Sequence, residues 1–132
     1  MAGLNKLQLQ VFGRKTKYDF NTGLVLCHKY NGNANDASAG GNNGTPINSP
    51  SYVTGKVGNA IDLNGLNQYV TVPHNANLNF TNGAIDLPFS FITGVYFDST
   101  SGVQMMLSKR NSGTTVYEWN FIANFTNSNV RL

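Results

Sequence analysis

GLVLCHKYNGNANDASAGGNNGT, residues 23–45, and GKVGNAIDLNGLNQYVTVP, residues 55–73, decide the fold. In each, a short apolar run abuts a loop of Asn and Gly. Leu24 to Tyr30 reads as a strand, and Asn31 to Gly44 is nearly all turn chemistry. In the second segment Ala60 and Asp62 alternate with Ile61 and Leu63, Asn64-Gly65 turns the chain, and Tyr69 to Val72 forms a strand stopped by Pro73. Strands paired around Asn-Gly are a hairpin signal, because both residues tolerate the positive φ of a tight turn.

The same grammar extends in both directions. Upstream, Leu7, Leu9 and Val11 alternate with Lys6, Gln8 and Gln10, a period of two that predicts a strand with one buried face. Arg14, Lys15 and Lys17 follow. Residues 46–54 are expected to hold a short irregular strand, given Pro46, Pro50 and then Tyr52-Val53. Downstream, Leu78 and Phe80 are expected to anchor a polar loop inward. Residues 85–97 contain the longest apolar run, with Phe89, Phe91, Val95 and Phe97 as core candidates. Val103–Lys109 is a strand, and Tyr117, Trp119, Phe121 and Ala123 alternate with Glu118, Asn120 and Ile122 as another. No segment has helical periodicity. Short strands at regular intervals, punctuated by turns, predict an all-β antiparallel sandwich.

Composition agrees. Charged residues are 11% of 132, while Asn occurs twenty times. The net charge of +3 lies wholly in residues 1–22, where Lys6, Arg14, Lys15 and Lys17 face only Asp19; the rest of the chain balances to zero. That asymmetry divides the chain into a basic N-terminal β arm, residues 1–22, and a body, residues 23–132. The arm is either an edge strand protected by its charges or a docking element that uses Leu7, Leu9, Val11, Phe12, Arg14, Lys15 and Lys17. On the docking reading, removing it leaves the body folded. A nucleic-acid partner is disfavoured, because the basic residues form no dense face. The single Cys27 forms no intrachain disulfide. No stretch is long and apolar enough to span a membrane, and the start lacks the apolar core of a signal peptide.

Residues 23 to about 125 resemble the laminin-G-like, concanavalin A-like lectin/glucanase superfamily. The likeness is carried by Gly23-Leu24-Val25 through Tyr30-Asn31-Gly32-Asn33-Ala34-Asn35-Asp36-Ala37-Ser38 and by Asn42-Asn43-Gly44-Thr45. Gly58-Asn59-Ala60-Ile61-Asp62-Leu63-Asn64-Gly65 and Tyr69-Val70-Thr71-Val72-Pro73 form its second signature. The resemblance implies a concanavalin A-like jelly roll. It also implies that the body is C-terminally incomplete, because the family's domain continues through further strands, the last of which closes beside the first strand. That first strand, residues 24–30, is therefore expected to lie beside a strand this chain does not contain.

The resemblance raises three chemistries. Glycosidase action needs two carboxylates about 5–5.5 Å apart, and the one glutamate, Glu118, has no acidic neighbour at strand spacing; an enzyme is not expected. Calcium takes amide, carboxylate and carbonyl oxygens, and Asn31, Asn33, Asn35 and Asp36 form an oxygen-rich loop that could supply them. Carbohydrate binding needs an aromatic platform beside amides, for which Tyr52, Asn67, Gln68 and Tyr69 are the candidates. The expectation is a non-enzymatic structural or adhesion module of a phage virion, in a fibre or a tail or head decoration, that binds host glycans. It assembles through its arm into a homo-oligomer or larger particle. The alternative is a lectin-like domain of a secreted or cell-surface bacterial protein.

Overall fold

The computed structural model describes residues 5–12, 22–81, 84–99, 101–110 and 117–125, without the side chains of 5–12, 117 and 118. Nine strands account for almost all the regular structure: β1 Asn5–Phe12, β2 Leu24–His28, β3 Thr45–Ile47, β4 Ser51–Thr54, β5 Asn59–Leu63, β6 Tyr69–Thr71, β7 Ser90–Tyr96, β8 Val103–Arg110 and β9 Tyr117–Asn124. One 3₁₀ turn, Ala76–Leu78, is added, and no α-helix occurs among the described residues. The all-β expectation holds. The sheets are small, one of five strands and two of two strands among the described residues. The chain divides into two compact units, Met1–Phe97 and Asp98–Leu132.

In the first unit β1 is the central strand. One edge pairs antiparallel with β7 from Lys6 to Phe12. The other edge is shared, β5 taking Asn5–Leu7 and β2 taking Leu9–Phe12. Only three residues of β5 and four of β2 pair with β1, so the two strands share its edge without overlap. β4 extends the sheet beyond β5. This corrects the reading of residues 1–22 as a separate arm. The alternation of Leu7, Leu9 and Val11 does mark a strand, but its backbone is hydrogen-bonded on both edges, and the sheet crosses the supposed boundary at residue 22. Arg14, Lys15 and Lys17 lie outside the described residues.

The hairpin expected at Asn64-Gly65 is also corrected. β5 pairs with β1 and β4, while β6 pairs with β3 in a separate two-stranded sheet. The cause is local. Asn64 Oδ1 accepts the N–H groups of Leu66, Asn67 and Gln68 at 3.0–3.2 Å, which closes a five-residue loop instead of a two-residue turn. The chain thereby leaves one sheet for the other. Val70 of β6 then packs against a buried cluster of Tyr30, Ala34 and Ile61, to which Tyr52 and Leu63 also contribute. Two layers thus share one small core.

β2 ends at His28, two residues earlier than its apolar pattern, because Tyr30 adopts φ +53°. A bulky residue rarely takes that conformation; burial of the ring at 2% exposure holds it there. Leu78 and Phe80 are buried as expected, and Phe80 stacks on Phe89 with ring centroids 4.3 Å apart. In β7, Phe91, Thr93 and Val95 are half-buried and alternate with exposed Ile92 and Tyr96.

The second unit is a hairpin of β8 and β9 with two irregularities in its register. Trp119 and Phe121 lie 6.0 Å apart between ring centroids, and Ala123 is buried. The Phe125 N–H donates to the Gly102 carbonyl at 2.9 Å, which ties the strand ends together.

Candidate functional site

β2 carries a bulge. Val11 faces Leu26 and Phe12 faces Leu24, so Val25 has no partner on β1. The edge of β2 away from β1 is met by the loop at residues 36–42. The Val25 carbonyl accepts Asn42 Nδ2–H at 2.6 Å, Cys27 N–H donates to Asp36 Oδ1 at 2.8 Å, and the Cys27 carbonyl accepts the Ala37 N–H at 2.8 Å. The loop therefore does the work of a neighbouring strand, and edge groups that would otherwise invite pairing are satisfied. This overturns the expectation that the first strand of the body waits for a closing strand: β1 holds one edge and the loop holds the other. Gly40 allows the close approach, since a Cβ there would collide with the Val25 carbonyl oxygen and reach Asn42 Nδ2 at 2.8 Å.

Two side chains organise the loop. Asp36 accepts four hydrogen bonds, each 2.8 Å: Cys27 N–H and Ser38 N–H on Oδ1, Ser38 Oγ–H and Asn42 N–H on Oδ2. Burial opposes the charge, but the hydrogen bonds outweigh it and hold the carboxyl below its ordinary range. Asn42, 3% exposed, joins distant parts of the chain. Its Nδ2 donates to the Val25 carbonyl and to Asn77 Oδ1, and its own carbonyl accepts from buried His28 Nε2–H at 2.9 Å. Two acceptors around Nδ2 fix the orientation of the amide. Oδ1 is left buried without a partner among the described residues. His28 Nε2 carries a proton to make this bond, and His28 Nδ1 lies 3.5 Å from the Tyr30 hydroxyl. Burial, with Tyr52 nearby, pushes the Tyr30 hydroxyl well above its ordinary pKa.

Calcium does not fit this loop. A carboxylate has about four acceptor positions, and Asp36 has all of them filled by the protein. Asn31 Oδ1 accepts the Asn59 N–H and Asn33 Oδ1 accepts the Asn35 N–H, so both of these oxygens are engaged by backbone. Among the described residues no three His, Cys, Asp or Glu side chains gather as metal ligands.

The carbohydrate candidates separate. Tyr52 packs against the core cluster, and burial raises its pKa. Gln68 donates through Nε2 to the carbonyls of Asn48 and Ser49 and accepts the Asn64 N–H, so it braces one loop on another. Asn67 Oδ1 accepts from Asn64 Nδ2. Tyr69 alone is an open platform, half exposed.

A cleft of about 290 Å³ lies elsewhere, lined by Gly41, Asn42, Asn43, Pro73, His74 and Asn75. Its two walls are joined through Asn77. Asn77 Nδ2 donates to the Gly40 carbonyl, and Asn77 Oδ1 accepts from Asn42. The sequence marks these residues only as turn formers. Their partners lie 35 and 37 positions away, and no local period signals such a contact.

No family model, curated protein or solved structure matches this chain. Among the described residues no helix is long and apolar enough to cross a membrane.

Proposed function

We propose that the chain is a non-catalytic module of sandwich type, structural and adhesive, displayed on a particle or cell surface, and that its polar loops recognise glycan. The observation that carries the glycan reading is the fixing of those loops by their own side chains: Asp36 and Asn42 in one, Asn64 and Gln68 in another, Asn75 and Asn77 in a third. Loops already ordered lose little freedom on binding, so weak contacts to sugar hydroxyls count in full. Fixed amides beside an aromatic or imidazole surface suit a saccharide, which presents both donors and acceptors. The display role rests on the family resemblance. The lack of an acidic partner for Glu118 at strand spacing supports a module that binds without cleaving.

A glycan array probed with and without calcium tests the reading. Binding is expected in both conditions, since Asp36 has no acceptor free for the ion. Failure to bind any glycan in either condition would remove the recognition role.

A further inference from the structure

We infer that the cleft between residues 41–43 and 73–75 takes a saccharide unit bearing a carboxylate, in preference to a neutral one. The inference rests on the glycan reading and specifies its ligand.

The ends of the lining amides that remain available decide the ligand. Asn43 Oδ1 accepts the Asp36 N–H at 2.9 Å, and Asn75 Oδ1 accepts the Asn77 N–H at 3.2 Å. A backbone N–H can only donate, so both amides have a fixed orientation. Each has its oxygen engaged within its loop and its Nδ2, with two N–H bonds, as the remaining end. Exposed His74 adds at least one ring N–H in any protonation state. None of the six lining residues is acidic. The nearby carboxylate, Asp36, is saturated by its own donors. Asn42 Oδ1 is an acceptor without a partner among the described residues, but it is buried, so the exposed side chains of the cleft are richer in donors than in acceptors. Such a site favours a ligand rich in acceptors, and hydrogen bonds to an ionised oxygen are stronger than those to a hydroxyl. A neutral sugar offers hydroxyls that must also donate, and the exposed side chains of the cleft have few acceptors to meet them. Pro73 supplies an apolar surface for a ring face.

The test uses uronate- and sialate-containing oligosaccharides, each paired with the same molecule after methyl esterification of its carboxyl groups, titrated by calorimetry. The acid form of at least one pair is expected to bind at least tenfold more tightly than its ester. Asn75→Asp isolates the cause. It keeps the oxygen that accepts the Asn77 N–H, and Asp serves as well as Asn in that capping position, yet it replaces the donor with an acceptor. The variant is expected to keep the wild-type circular dichroism and melting temperature and to lose the preference for acid over ester. Equal binding of acid and ester by the wild type would overturn the inference and leave glycan recognition standing. An acid preference that survives in Asn75→Asp would overturn it at this cleft. Binding of neither form, together with a blank array, would overturn both readings.

Discussion

Asn42 and Asp36 reach the same strand by different physics. Asn42 acts through geometry, its Nδ2 filling the Val25 carbonyl that the bulge leaves without a partner on β1. Asn42→Ala strands that carbonyl and Asn77 Oδ1, although it also removes the unpartnered Oδ1. A net loss of about 1–3 kcal/mol follows from the cost of a buried unpaired acceptor. Asn42→Asp should be worse than Asn42→Ala, because it places a charged oxygen against two acceptors in a buried site. Urea unfolding of the two variants gives the order, and a more stable Asp variant would refute the assigned amide orientation. Asp36 acts through charge. Its carboxyl is held below the ordinary range, so the folded state binds its proton less readily than the unfolded state. Its contribution is complete above the ordinary carboxylate range and is lost as pH falls through the lowered folded value. The stability gap between wild type and Asp36→Asn, measured by denaturant titration across pH, should therefore be largest near neutrality and close in acid. A gap that widens in acid would contradict the hydrogen-bonding pattern. Neither role was legible in the sequence, where Asn42 looks like a turn former and Asp36 like a candidate calcium ligand.

At the scale of elements, sequence period located strands better than it assigned their partners. Leu7, Leu9 and Val11, the Ala60–Leu63 stretch and Phe91 with Val95 all fall in strands, because one buried face imposes alternation wherever a strand occurs. Pairing is nonlocal, and the Asn64-Gly65 dipeptide misled because Asn64 caps a longer loop. The basic charge of residues 1–22 likewise suggested an appendage, yet β1 bonds three strands. That pairing yields a prediction opposite to the dispensable arm. Deleting residues 1–12 would leave β2, β5 and β7 without their shared partner and expose three edges. The deletion variant is expected to lose cooperative unfolding by circular dichroism and to aggregate at concentrations where the full chain is soluble. A deletion variant that melts as sharply as the full chain would return β1 to the status of an appendage.

For the whole molecule, the division into Met1–Phe97 and Asp98–Leu132 raises the question of whether one cooperative transition describes both. The sequence supplies a single reporter in each. Cys27, the one cysteine, is buried in β2, and Trp119, the one tryptophan, sits half-buried in β9. The first unit has a five-stranded sheet and a second sheet packed over a shared cluster. Among the described residues the second is a two-stranded ribbon, an arrangement that is marginal in water by itself. Local free energies of opening differ where burial differs. Trp119 fluorescence is therefore expected to change at a lower denaturant concentration than Cys27 becomes reactive to a thiol reagent. The native thiol should resist labelling on the time scale of the assay, because its backbone is held by Asp36 and Ala37 and its side chain is 3% exposed. Coincident midpoints would show that the hairpin belongs to the cooperative unit of the sheet. Rapid labelling without denaturant would place the opening in the first unit itself, at the edge of β2 that the loop is built to close.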